Sequence, residues 1–130
     1  MERQTRQRAA IQRVFEETER PLDPQEVLGS AQRFVPQLGI ATVYRTLKSL
    51  VDDGHLTAVM LPGENPRYER AGLRHHHHFQ CRRCQKVYDL DGCPGGMAKL
   101  TSNDFAALTP RGFTLEDHDV ILYGRCDHCA

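Results

Sequence analysis

The sequence has no excess of charge of either sign. Seventeen Lys and Arg stand against seventeen Asp and Glu. That excludes a generally basic coat protein that grips nucleic acid or membrane through bulk charge. Long apolar runs are also missing. Nothing approaches the ~18 consecutive apolar residues of a membrane span, so no membrane partner is expected. The residues Met1-Glu2-Arg3-Gln4-Thr5-Arg6 lead into no apolar segment, so no secretory signal is expected. An H-E-x-x-H spacing is absent as well, which argues against a zinc hydrolase built on the histidines. The remainder is 130 residues, 39% apolar and 26% charged, an ordinary composition for one or two small folded domains.

Against this plain background stand five Cys and seven His. Four Cys form two Cys-x-x-Cys pairs, Cys81/Cys84 and Cys126/Cys129, and Cys93 stands alone. An odd count without a signal segment does not suit a secreted disulfide framework. Thiolates on metal in a reducing cytoplasm fit better. Charge is also patterned locally. Residues 1–55 hold eight basic and eight acidic side chains, yet Arg3, Arg6, Arg8 and Arg13 follow one another with no acid between.

Apolar residues from Thr5 to Glu19 recur at helical spacing, and Pro21 stops that helix. Asp23-Pro24-Gln25-Glu26 reads as a second helix start: Asp23 caps, Pro24 suits the first helical position and Glu26 completes a capping box. A third helix is expected over Ile40–Asp53, with Val43, Leu47, Leu50 and Val51 buried and Gly54 just past its end. Strands are expected at Leu56–Leu61 and Arg67–Glu69, joined by the breaker-rich Pro62-Gly63-Glu64-Asn65-Pro66. Three helices and a hairpin outline a winged helix-turn-helix. Further strands are expected at His75–Cys81, Lys86–Leu90, Gly112–Leu115 and His118–Tyr123, and a short helix at Asn103–Leu108. The fold class is α+β. A winged-helix domain over residues 1–70 precedes a small α/β domain over 71–130.

Two Cys-x-x-Cys knuckles supply four thiolates, the donor set of a tetrahedral Zn²⁺ with no open position. The site is therefore read as structural. Four unrelated thiols, or a redox pair, are the alternatives. The run His75-His76-His77-His78 is internal, unlike a purification tag. On a strand, His75 and His77 face one way and His76 and His78 the other. Each pair is spaced to chelate, with Glu69, Asp89 and His118 as further donors. Such mixed shells accept Zn, Fe, Mn or Ni, and a solvated polar strand is the plain alternative. On the third helix, Thr42, Tyr44, Arg45 and Lys48 share the exposed face. Arg45 suits a guanine edge, and Tyr44 a thymine methyl or a phosphate. An ordinary solvated helix face competes with this reading. His55, His128 and Cys93 are given no specific role.

Taken together, these residues resemble the ferric uptake regulator family of bacterial metal-responsive repressors. The matching pieces are Thr5-x-x-Arg8, Ala41-Thr42-Val43-Tyr44-Arg45-Thr46-Leu47 and Arg67-Tyr68-Glu69. They continue with His75-His76-His77-His78-x-x-Cys81-x-x-Cys84 and His118-x-x-x-x-Tyr123-Gly124-x-Cys126-x-x-Cys129. The resemblance implies a DNA-binding domain followed by a dimerisation domain, working as a homodimer on palindromic operators. It implies a structural zinc on Cys81, Cys84, Cys126 and Cys129. A regulatory hinge site maps onto Glu69, His76, His78 and Asp89, and an additional site onto His75, His77 and His118. Arg3, Arg6, Arg8 and Lys48 are expected at phosphates, which position without specifying.

Departures from the family pattern bear on the metal. Pro21 stands where iron and peroxide sensors add a His, leaving four ligands, which zinc tolerates better than an octahedral metal. His77 stands where iron regulators carry Asp, and the four-His run resembles zinc uptake regulators. Zinc regulators often supply a Cys near Glu69 or Arg70, and this chain has none. No carboxylate partner for His118 can be placed, and Cys93 and Asp104 are the substitutes. The expectation is a metal-dependent repressor with zinc as the leading effector. Alternatives are an iron- or peroxide-responsive regulator and, more remotely, a zinc-knuckle interaction module without DNA binding.

Overall fold

The structure is a computed structural model that describes residues 2–74, 76–90 and 107–130. Its elements are α1 (Glu2–Glu17), α2 (Pro24–Ala31), α3 (Ile40–Asp52), β1 (Leu56–Val59), β2 (Arg67–Arg70), β3 (His77–Cys81), β4 (Val87–Leu90) and β5 (Ile121–Gly124). The chain is α+β and divides into two compact units, Met1–Leu73 and Arg74–Ala130. No helix among the described residues is long and apolar enough to cross a membrane.

In the first unit the apolar stripes meet in one core. Ala10, Ile11, Val14 and Phe15 of α1 bury against Val27 and Ala31 of α2, Val43, Leu47 and Leu50 of α3, and Leu22, Leu38 and Leu56. Each Val, Leu, Ile or Phe side chain among them contributes ~1.5–3 kcal/mol on burial. Local chemistry sets the helix ends. The Asp23 side chain accepts from the Glu26 N–H at 2.8 Å and the Glu26 carboxylate accepts from the Asp23 N–H at 3.2 Å, so the capping box closes both ways. At the end of α3, Gly54 takes φ +81°, which a side chain would strain. The Gly54 N–H then donates to Val51 O at 3.0 Å and the His55 N–H to Leu50 O at 2.8 Å. This is a Schellman ending.

β1 and β2 pair antiparallel, from Leu56 opposite Arg70 to Val59 opposite Arg67. Leu22 and Tyr68 exchange backbone bonds of 2.9 and 2.8 Å, which ties the segment before α2 to this hairpin. Three helices, the hairpin and this bridge make a winged helix-turn-helix. Pairing continues past β2, where the Ala71 N–H donates to His55 O at 3.0 Å. The unit accordingly runs a little beyond residue 70.

The second unit is a three-stranded sheet of order β4-β3-β5, with β4 antiparallel and β5 parallel to the central strand. Two expectations change here. Gly112–Leu115 forms no strand: Gly112 has φ +87° and the Phe113 N–H donates back to Pro110 O at 3.0 Å, so the segment turns. The last strand begins at Ile121, later than expected. The helix expected at Asn103–Leu108 lies mostly outside the described residues, and Ala107 and Leu108 sit in a turn. His75, Cys93 and Asp104 also lie outside them.

Candidate metal centres and nucleic-acid interface

Strand register brings the four cysteines together. Cys81 ends β3 and is the parallel partner of Gly124, the last residue of β5. The Arg82 N–H donates to Gly124 O at 2.8 Å, so the chain leaving β5 reaches Cys126 beside the first knuckle. A Cβ at Gly124 would lie 3.1 Å from Cζ of Phe79, so any side chain there would press on that ring. The Sγ atoms of Cys81, Cys84, Cys126 and Cys129 all lie within 4.8 Å of one another. The Cys84 to Cys126 separation is 3.8 Å. A tetrahedron with Zn–S bonds of ~2.3 Å has an edge of about 3.8 Å, so the cluster fits zinc.

Two of the four thiols are biased towards the thiolate form that binds metal, and one is biased against it. Backbone N–H groups of Cys84 and Cys126 bring the Cys81 thiol down to about 6. Cys84 N lies 3.4 Å from Cys81 Sγ. Burial pushes the Cys126 thiol up, but the His128 N–H and the Cys129 and Tyr88 side chains outweigh it and the net shift is down. Cys129 is pushed up to about 12, chiefly by its hydrogen bond to Cys126. A divalent cation at the centre favours the thiolate at every position.

β3 begins at His77, and His76 and His78, two residues apart, converge on one side. His78 is the antiparallel partner of Asp89. The Asp89 Oδ1 lies 3.3 Å from His78 Nε2 and 3.4 Å from His76 Nε2. The two rings meet edge to face at 4.9 Å. His76 Nδ1 lies 2.6 Å from Arg74 O, a contact that orients the ring with Nε2 towards the carboxylate. Two imidazoles and a carboxylate converging within 4.8 Å form a ready partial shell for a divalent cation. Glu69, expected with this group, lies on β2 of the first unit, where it is buried and stands opposite Thr57.

His77 points to the other face of β3 and is 1% exposed. Its ring centroid lies 5.0 Å from that of His118, so these two members of the expected additional site are neighbours. Two further groups here had not been picked out from the sequence. The Val120 N–H donates to His77 Nδ1 at 3.2 Å, and the Asp119 carboxylate lies 3.8 Å from the same nitrogen. In a neutral ring the proton then sits on Nε2. A metal on Nε2 therefore requires the Val120 bond to break.

On α3, Tyr44, Arg45 and Lys48 are exposed and Thr42 is half-buried. The Arg45 guanidinium donates to Thr42 Oγ1 at 3.0 Å, one turn back, which holds it along the helix face. Of the basic residues on α1, Arg3 and Arg6 are exposed. Arg8 is half-buried and reaches across to Ser49 Oγ and Asp53 Oδ2, each at 2.7 Å.

A winged helix-turn-helix followed by a sheet with four clustered thiols and a separate His/carboxylate cluster defines the class of winged-helix metalloregulators. Comparison with known proteins narrows the class. The sequence profile of the ferric uptake regulator family matches residues 2–123, and the chain belongs to that family. Transcriptional regulator FurA of Mycobacterium tuberculosis is 30% identical over 108 residues, spanning 83% of this chain and 70% of FurA. The zinc uptake regulation protein of the same organism is 30% identical over 127 residues, spanning 98% and 94%. The structure of the ferric uptake regulator from Francisella tularensis with iron matches at TM-score 0.70 and 27% identity, covering 95% of this chain and 90% of that one. The chain is thus a metal-responsive transcriptional regulator of this family.

Proposed function

We propose that this chain is a cytoplasmic, metal-dependent repressor that binds operator DNA as a homodimer, has no enzymatic activity, and takes zinc as its effector. The observation that carries the reading is the convergence of His76 and His78 on the Asp89 carboxylate, on the hairpin that also bears the first cysteine knuckle. His76, His78 and Asp89, with Glu69, are the proposed regulatory ligands. Cys81, Cys84, Cys126 and Cys129 are proposed to hold the structural zinc, and His75, His77 and His118 the additional site. When bound, the regulatory metal supplies a multivalent positive centre. The chain's own part is to present neutral imidazole nitrogens and carboxylates to it.

Regulation then works as a population shift. The metal must favour the DNA-competent form, and moving that equilibrium from 1:99 to 99:1 takes ~5.5 kcal/mol of differential binding. On DNA, Arg45 and Tyr44 read base edges while Arg3, Arg6 and Lys48 position the helix at phosphates. Zinc is favoured over iron on two grounds. Four N and O donors suit a tetrahedral ion, and Pro21 offers no fifth ligand. The zinc uptake regulation protein also aligns along more of its length than FurA at the same identity.

The test is operator binding by metal-stripped protein titrated with Zn²⁺ and with Fe²⁺, beside metal analysis of the purified dimer. Tight operator binding restored by Zn²⁺ at far lower free concentration than by Fe²⁺ supports the reading, as does a second, exchangeable class of zinc. The reverse order of potency selects the iron- or peroxide-responsive alternative. Absence of salt-sensitive duplex binding in any metal state rejects DNA regulation in favour of a zinc-knuckle interaction module.

A further inference from the structure

Arg8 does not share the surroundings of its exposed neighbours on α1. Its guanidinium is forked between two acceptors far along the chain, Ser49 Oγ and Asp53 Oδ2, each at 2.7 Å. Both acceptors belong to the C-terminal part of α3, Ser49 within the helix and Asp53 at its C-cap. An acid at that position opposes the helix dipole, whose carbonyl end carries partial negative charge. Asp52 and Asp53 stand there together, with no base in the last turn of α3. Asp53 is thus electrostatically misplaced unless a cation from another element meets it, and Arg8 is that cation. Gln4, Thr5, Arg8, Thr42, Arg45 and Ser49 line one cleft between α1 and α3. Arg8 thereby sits at the wall of the groove that also holds the Arg45 side chain.

We infer that Arg8 is a positioning residue rather than a phosphate contact. It clamps α1 to the C-terminal end of α3 and fixes the angle at which α3 presents Arg45 and Tyr44. The inference rests on the proposed DNA-binding function. With the first half of α1 carrying exposed Arg3 and Arg6, the clamp makes the phosphate-gripping and base-reading elements one rigid piece. Its chemistry needs a planar fork with two donors on separate nitrogens, which Arg has and Lys lacks.

Asp53→Asn separates the clamp from simple charge. In full-length, zinc-loaded protein, removing an acid near DNA raises affinity for every duplex if only net charge counts. The clamp requires instead that the ratio of operator to random-duplex affinity fall, by about two- to fivefold for a half-exposed ion pair. Arg8→Gln is expected to lower that ratio equally and to leave the salt dependence unchanged, whereas a lost phosphate contact flattens the slope by ~0.9. The Arg8→Gln/Asp53→Asn double variant is expected to match either single one, and Arg8→Lys to recover only part of the ratio. A flattened slope in Arg8→Gln, or a ratio unchanged in Asp53→Asn, overturns the clamp. Thermal unfolding of the same four proteins reads the clamp without DNA: equal midpoints for the singles and the double support it, and additive losses overturn it. Failure of the native chain to bind any duplex counts against the DNA-binding reading, while the thermal cycle still decides the clamp.

Discussion

Replacing His78 by Ala is the most direct perturbation of the proposed regulatory site. The His78 side chain is 9% exposed, stands opposite Asp89 in the β3–β4 register, and holds Nε2 3.3 Å from Asp89 Oδ1. Structural zinc in zinc-finger peptides binds with ~10–16 kcal/mol at neutral pH, which sets the scale for a four-ligand site. An equal share per ligand is ~2.5–4 kcal/mol, so losing one ligand weakens zinc by about 70- to 900-fold. If that share is all differential, a shift of ~5.5 kcal/mol shrinks to ~1.5–3 kcal/mol, and about 10–60% of chains reach the DNA-competent form at saturating metal in place of ~99%. The assay is operator binding against buffered free Zn²⁺, with total zinc counted beforehand. A buried Ala also leaves a cavity, so Asp89→Asn, which keeps the volume and removes the charge, is measured beside it and is expected to lose metal response similarly. An unchanged zinc midpoint in both variants, with the four-cysteine zinc retained, refutes the assignment.

Three further outcomes are expected. Gly124→Ala puts a Cβ 3.1 Å from Cζ and 3.4 Å from Cε2 of Phe79. Overpacking of ~1–3 kcal/mol then outweighs the ~0.4–1 kcal/mol gained from a less free unfolded chain, so denaturant unfolding of the second unit should show a net loss of about 1 kcal/mol. Equal or higher stability contradicts that packing argument. Asp23→Ala removes the cap of α2 and should cost about 1 kcal/mol, lowering the thermal midpoint by roughly 4–8 °C, with Asp23→Ser recovering most of it. Cys126→Ser leaves three thiolates in the structural cluster, and zinc that survives mild chelation in the native protein should be released from the variant. Full retention there means that Cys126 is not a ligand.

Most of the first unit was legible because its signals are local. Asp23-Pro24-Gln25-Glu26 specifies a helix start within four residues, and Gly54 marks a helix end by its own φ. Alternation along the His run needed only the period of a strand, and it brings His76 and His78 to one carboxylate. The second unit was legible in its metal ligands and less so in its strands. β5 pairs parallel to β3 across some forty residues, so no local pattern indicates that Cys81 lies opposite Gly124. Gly112–Leu115 has alternating character, yet Pro110 and a positive φ at Gly112 turn the chain there. The Val120 N–H on His77 was illegible for the same reason, since backbone donors leave no residue-type signature. For Arg8 the sequence does carry a signal: an acid at the C-terminal end of α3 calls for a distant base.

The central strand gives the two proposed metals, structural and regulatory, separate places on one small sheet. His78 and Cys81 are three residues apart on β3, a separation of about 10 Å along a strand. Odd spacing sends their side chains to opposite faces. The two donor sets therefore share a backbone without competing for one ion. On the proposed reading a closed four-thiolate shell would join the end of β3 to the segment leaving β5, and zinc there would contribute to folding before any regulatory metal arrives. The other end of β3 inherits that rigidity. His78 is held by pairing to β4 on one side, and its N–H donates to Val120 O at 3.2 Å on the other. Less ordering then remains when metal binds there, which raises its affinity. Charge follows the same division. Four thiolates and one Zn²⁺ carry a net charge of minus two, and the exposed Arg82, Arg83, Lys86 and Arg125 flank those cysteines in sequence. The Arg82 guanidinium packs 4.8 Å from the Tyr123 ring centroid. A divalent cation held by the proposed regulatory set, two imidazoles and the Asp89 and Glu69 carboxylates, would be neutralised by its own ligands. On that reading the charge gained by the neutral bare chain is anionic and lies at the thiolate end of β3.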